Sequence, residues 1–325
     1  MKSSKNKIVL CGTAMLAATT LGAARCSANL IDPLSQFDLI VLGNLTTSSE
    51  VEGAAFVGGN LTGTSNYNTQ NQTPLPSIQL GNNTYNNLAL TVGGTIASNT
   101  NVQVNNGGNL LYSGSVGSGV NLNMNGGGSK FISSSISTET SGLITALDQF
   151  STYYSGLSAN STFNSGTNTF TVGASAAGGT AVFDITAAQF ATNNANFSLD
   201  NSAGADFIVV NVSGTSDTFG SSEHFGSGFS AGNIIWNFSQ ANSVSVQLAI
   251  DDQFIGSILA PEADLSNTTQ IDGSVAVGTF NQNGEIHLPL LDSNFPTPTP
   301  TPEPSALGIM AVGGLALLAR RRRKA

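Results

Sequence analysis

His224 and His287 are the only imidazoles in this 325-residue chain, and both have carboxylates close by in sequence. His287 follows Glu285 at the next-but-one position in Glu-Ile-His-Leu-Pro, so in a strand the two side chains share a face. Such a pair can bind a metal or move a proton; the plainer expectation is a hydrogen-bonded polar pair at the end of the domain. His224 lies in Ser-Ser-Glu-His-Phe-Gly-Ser-Gly, a loop by composition. Asp251 and Asp252 are adjacent, so in a strand they point to opposite faces. In a turn they could flank a glycosidic bond as an acid and a nucleophile do, or only face water. Asp200-Asn201, Asp251-Asp252 and Glu262-Ala-Asp264 offer oxygen ligands for calcium. Neither an EF-hand loop nor a glycine-aspartate nonapeptide repeat accompanies them. Serine-nucleophile, P-loop and dinucleotide fingerprints are absent in a recognisable context. The expectation is a protein that is not an enzyme, with no cofactor and no metal centre.

Charge narrows the partners. Of ten Lys and Arg, Lys2, Lys5, Lys7 and Arg25 lie near the start, and Arg320 to Lys324 supply five more at the end. Only Lys130 lies between positions 29 and 319, against 19 Asp and Glu, a formal charge of −18 for that span. Nucleic acid is excluded as a partner, because neutralising phosphates requires Lys and Arg. A lyase acting beside a uronate is disfavoured for want of basic side chains. An anionic polysaccharide would need a bridging cation. Cys11 and Cys26 are the only cysteines and both lie near the start, so the body is expected to have no disulfide and to rely on packing and hydrogen bonds.

The elements that would position these residues read as β. Short apolar runs alternate with Gly and Asn, which tolerate left-handed turns: Asp38–Leu42, Ala54–Val57, Leu88–Val92, Ala205–Val212, Asn233–Phe238 and Val244–Leu248. Gly-Asn-Leu recurs at Gly43, Gly59 and Gly108, Val-Gly-Gly at Val57 and Val92, and Gly-Ser-Val/Ile at Gly114, Gly256 and Gly273. The steps from Gly43 to Gly59 and from Gly256 to Gly273 are nearly equal, and each suits one coil of a solenoid. The fold class expected is mainly β, a β-helix or solenoid, with a β-sandwich as its rival. One segment differs: in 142–156, Leu143, Leu147, Phe150 and Tyr154 recur every three or four positions. That spacing predicts one amphipathic helix, packed against the side of the solenoid, with cap candidates at Thr138 to Ser141 and a stop at Gly156.

Both ends carry address features. Lys2, Lys5 and Lys7 precede an apolar stretch, and Cys26-Ser-Ala28 supplies small residues for a cut between Ala28 and Asn29; residues 1–28 read as a secretory signal peptide, cut by signal peptidase. The domain plan is then a β body over 29–295, a Pro/Thr spacer over 296–304, and an apolar and basic tail over 305–325. The uncharged stretch from Ala306 to Ala319 would span about 21 Å as a helix, short of the ~30 Å hydrocarbon core. The segment is expected to span only by recruiting Ser305 and snorkelling the basic residues, either as a stable anchor or as a temporary stop.

Pro302-Glu303-Pro304, the apolar segment and the cluster Arg320, Arg321, Arg322, Arg323, Lys324 occur in that order. They resemble the PEP-CTERM sorting signal, which implies processing by an exosortase-type enzyme. In the body, Phe37–Asn44, Phe207–Gly214, Asn233–Phe238, Gly256–Ala263, Ile271–Val275 and Gly284–His287 resemble the choice-of-anchor A family over roughly residues 34–291. The stretch from Gly256 to Val275 is also similar to coils of β-helical ice-binding adhesin domains, which carry a helix alongside the solenoid. Ice binding itself wants a regular Thr ladder, and Thr167, Thr169 and Thr171 form one local run. These resemblances imply an exported cell-surface or extracellular-matrix protein with a structural or adhesive role, polysaccharide as a candidate partner, and membrane contact through the C-terminal segment. A glycan hydrolase and a calcium-dependent adhesin are the alternatives.

Overall fold

The apolar runs form strands that pair in parallel, which sets aside the antiparallel sandwich. A computed structural model describes residues 32–190, 195–220, 223–247 and 252–298. Leu39–Val41 pairs with Ala55–Val57 on one edge and with the start of Val275–Gln282 on the other. The registers Leu39↔Ala55 and Ile258↔Val275 reproduce the two glycine steps of the sequence. The protein is a three-sided β-solenoid.

The first side is an unbroken row of parallel strands. It runs Lys130–Ile132, Asn109–Tyr112, Leu88–Val92, Ala55–Val57, Leu39–Val41, Val275–Gln282, Ser257–Asn267, Ile234–Asn237, Phe207–Ser213, Thr180–Thr186. At about 4.8 Å per strand the row is about 43 Å long. The chain therefore starts at mid-stack and winds outward to Ile132. It re-enters at the far end near Thr180 and winds back until its last coil meets its first.

Helix α1, Ile136–Ser155, lies along this first side. The expected face of Leu143, Leu147, Phe150 and Tyr154 is buried. The start is corrected: the helix begins at Ile136 rather than at 142, and Thr138 to Ser141 lie within it. Ile136, buried one heptad before Leu143, extends the same stripe. Ser135 stands at the N-cap without a side-chain bond, and Gly156 closes the C-terminus through its N–H to Thr152. A buried network fixes the helix to the sheet: Ser151 Oγ donates to Asn237 Oδ1 at 2.7 Å, and Asn211 Nδ2 donates to the Tyr154 carbonyl at 2.9 Å. The strands beneath are buried on both faces. Leu39, Val41 and Val57 point into the solenoid, and Ile40, Phe56, Val209, Ile235 and Leu259 point under the helix. That double burial is why these strands read as continuous apolar runs.

Coil length is uneven. The register advances from Thr180 to Phe207, from Ile208 to Ile234, from Ile235 to Ser257 and from Ile258 to Val275, each step shorter than the one before. The stack is therefore wide at the Thr180 end and tapers toward its middle. Phe170, Phe197, Phe219, Phe225, Phe254 and Trp236 fill the wide half, several of them with edge-on ring contacts. An antiparallel hairpin, Ile78–Leu80 with Asn83–Tyr85, is inserted in the coil that begins at Ala55. Val57 pairs with Val92, as their shared Val-Gly-Gly suggests. Gly59 and Gly94 stack at one corner, where a Cβ on Gly94 would meet Gly59 carbonyl atoms at 2.5 Å. Gly114 stacks at this same corner, whereas Gly108, Gly256 and Gly273 lie at the corner before the first side, so the Gly108 and Gly114 matches do not mark coil equivalence.

Candidate functional site

The second side of the solenoid has strands buried only inward. Leu45–Thr47 shows alternating burial, and Ser243–Val246 repeats it. Leu61, Leu45, Phe280, Leu265 and Val244 stack inward on one row. The residues beside them point out and are nearly all hydroxyls and amides. One outward row runs Ser115, Thr95, Asn60, Asn44, Thr279, Asp264, Ser243, Ser216; a second runs Thr62, Thr46, Asn281, Ser266, Ser245, Thr218.

Neighbours in these rows hold one another. Thr95 Oγ1 and Ser115 Oγ are 3.0 Å apart, and Asn60 Oδ1 accepts from the Thr95 N–H at 2.8 Å. Asn44 Oδ1 accepts from the Asn60 N–H at 2.8 Å. Thr279 Oγ1 donates to Asp264 Oδ1 at 2.5 Å, and Ser243 Oγ donates to Ser216 Oγ at 3.0 Å. A shallow groove runs between the rows where Asn44, Thr46, Asn281, Ser266 and Ser245 meet. Eight rungs at about 4.8 Å make a flat polar ladder about 34 Å long. It carries one carboxylate, so what this side offers is a regular array of mostly uncharged hydrogen-bonding groups. The Asn-Leu-Thr echo at Asn44 and Asn60 signals this ladder in the sequence; the second-half rungs share no tripeptide.

The histidines lie on the third side. Glu285 and His287 do share a face, with Glu285 Oε2 2.7 Å from Nε2. Asp272 Oδ1 lies 3.3 Å from Nδ1, and Glu52 Oε1 lies 3.9 Å from Nε2. The pair is at the end of the domain in sequence but at mid-stack in space, because Glu52 belongs to the first coil and the others to the last two. Asp272, offset by partial burial and joined by Glu285 and Glu52, raises the imidazole to about 9, so it is a cation at neutral pH. Beneath it, fully buried Asp38 accepts the Gly53 N–H at 2.8 Å, and burial pushes its carboxyl up to about 7. This cluster staples the seam between the first and last coils.

His224 Nδ1 pairs with Asp252 at the surface, three rungs or about 14 Å along the stack from His287. Asp251 lies outside the described residues, so the Asp251-Asp252 pair is not placed. Asp200 accepts the Ser202 N–H, which holds its carboxyl below its ordinary value, and Asn201 brackets Ala205: this pair closes a turn. Glu262 is exposed, and Asp264 is a ladder rung bonded to Thr279. Among the described residues no group of three or more His, Cys, Asp or Glu is arranged to hold a metal. Thr169 joins a hairpin at the wide end, away from the ladder.

Ala28, Asn29, Pro302, Glu303, Pro304, Arg320, Arg321, Arg322 and Arg323 lie outside the described residues. Among the described residues no helix is long and apolar enough to cross a membrane. Both ends of the described body sit on the helix side: the Tyr154 hydroxyl lies 3.1 Å from Asp32 Oδ2 and 3.0 Å from the Pro296 carbonyl oxygen.

A family model described as "Putative Ice-binding-like adhesive domain" matches residues 30–288, and a PEP-CTERM protein-sorting motif matches residues 300–324. The motif implies processing by an exosortase-type enzyme. No curated protein and no solved structure matches the chain.

Proposed function

The chain belongs to the ice-binding-like adhesive domain family, and from that membership we propose that it is an exported surface adhesin whose ladder side holds an ordered, uncharged polysaccharide without cleaving it. Family and sorting motif together support an exported surface protein of adhesive type. The observation that carries the finer reading is the pair of outward Ser, Thr and Asn rows on one flat side. Their hydroxyls and amides can meet sugar hydroxyls at each rung, singly weak and additive along a polymer. The formal charge of −18 disfavours an anionic chain. Asn44, Asn60, Asp264 and Asn281 interrupt any uniform Thr array, which favours a polymer over an ice lattice. The ends leave from the helix side, so a tether there leaves the ladder unobstructed. The apolar segment 306–319 holds the chain in the membrane until cleavage near Pro302–Pro304.

The test uses protein recovered from the host's surface and medium. Its mass should place the C-terminus near Pro302–Pro304; a retained Arg320–Lys324 would instead mean a stable anchor. The recovered protein should sediment with insoluble neutral polysaccharide from the host matrix, in chelator and in high salt alike. It should release no soluble sugar. Thr46→Arg with Asn281→Arg should weaken the affinity at least about tenfold, on the order of 1.4 kcal/mol. Binding that ignores those substitutions, or that requires calcium, would remove the ladder from the mechanism.

A further inference from the structure

We propose that the narrow end of the solenoid is a self-association surface, on which a second copy of this chain lays its own Asn121–Met124 strand antiparallel about a two-fold axis. The two ends of the stack differ. At the wide end Asn160 closes the edge strand, with Nδ2 donating to the Thr180 carbonyl at 2.9 Å and Oδ1 accepting from the Val182 N–H at 2.8 Å. At the narrow end no described strand pairs with the outer edges of Asn121–Met124 and Lys130–Ile132. The Asn121 and Asn125 N–H groups donate inward, to Thr100 and Val104 at 2.9 and 2.7 Å. Strand alternation therefore turns the Leu122 and Met124 backbone groups outward, ready to pair. The same outermost coil exposes apolar side chains on its other two sides: Ile132 is 61% exposed and Val116 42%.

Charge identifies the occupant. Between Glu52 and Glu139 the chain has no acid, and its sole cation is Lys130. The coils from Ala55 to Ile132 are thus nearly neutral, while the other half carries almost all of the negative charge. Two copies of so acidic a body meet with least repulsion where both are neutral. Head-to-head contact achieves that and points the acidic halves apart. Leu122 and Met124 of each copy would then exchange backbone hydrogen bonds across the axis. Lys130 opposes this: its Nζ donates to the Leu122 carbonyl at 3.2 Å, so pairing must displace it.

The experiment measures particle mass against concentration for the protein expressed as the full chain in its host and recovered from the surface. Two chains per particle are expected. Met124→Pro removes an outward N–H, which an edge strand tolerates, and also a half-buried side chain packed on the core; it should weaken the dimer at least tenfold, whereas Met124→Ala, which loses the same packing but keeps the N–H, should not. Lys130→Ala should tighten it. A single chain at every concentration, an open series of larger masses, or a dimer indifferent to Met124→Pro would each overturn the proposal. None of these outcomes bears on polysaccharide binding by the ladder, so the two readings fail separately.

Discussion

Asp217 occupies a place that the neighbouring coils fill with Val244, Leu265 and Phe280. Both of its carboxylate oxygens are buried without a hydrogen-bond partner, and burial pushes the group up to about 6. Asp217→Val should therefore stabilise the fold by about 1–3 kcal/mol, and by more at pH 8, where the carboxylate is charged, than at pH 5. Urea unfolding at the two pH values checks this; a loss at both would mean that the carboxylate serves the native state. The wider pH profile has the same sign. Burial raises Asp32 and Asp217 to about 6 and Asp38 and Glu223 to about 7, whereas in the unfolded chain they ionise near pH 4. The native state holds the extra protons between those values, so stability falls as pH climbs from about 4 to 7. His287 extends the fall. Raised to about 9 against an unfolded value near 6.5, it contributes fully below pH 6.5 and loses that contribution as pH rises through 9. His287→Gln should lower the melting temperature at pH 6 and flatten the curve from pH 6.5 to 9. An unchanged slope there would show that the seam carboxylates do not act through this imidazole. The Glu285–His287 contact was legible from strand period alone. Glu52 and Asp272 were not, since only coil stacking brings them there.

Helix α1 was legible from four apolar residues because one continuous stripe faces the first side of the solenoid. Its first turn was missed because Ser and Thr there looked like caps, and only Ile136 marks the buried face. Gly142 sits exposed inside the helix, with nothing within 4 Å of where a Cβ would stand. Gly142→Ala should add about 0.5–1 kcal/mol by reducing the freedom of the unfolded chain. A thermal melt reads this directly, and a lower melting temperature would mean that the helix needs its small residue. The strands under the helix announced themselves as apolar runs because both of their faces are covered. The ladder strands are short and rich in Thr and Ser, and they hide among turn residues of the same composition. The part of the protein we assign to adhesion was therefore the hardest to read, although Asn44 and Asn60 marked two of its rungs.

At the scale of the whole molecule, glycine spacing gave the coil length at mid-stack, where the coils are shortest and most alike. It missed the taper, because longer coils are filled by Phe and Trp rather than marked by a repeat. Nor does a repeat say which coil lies on which. Leu39 finds its partner Val275 at the opposite end of the body's sequence, and no local pattern encodes that closure. This seam sets an order of events in time. A chain exported N-terminus first delivers its neutral half-rod with Leu39–Val41 as a raw edge, and that edge stays open while the helix and the acidic coils follow. Contacts of such long sequence separation form slowly. The last coil, from Val275 to His287, is the keystone: it emerges just ahead of the Pro/Thr spacer and the sorting tail. A tail that pauses in the membrane would hold the chain at the moment its final coil becomes free to close the stack, so release would follow completion of the fold.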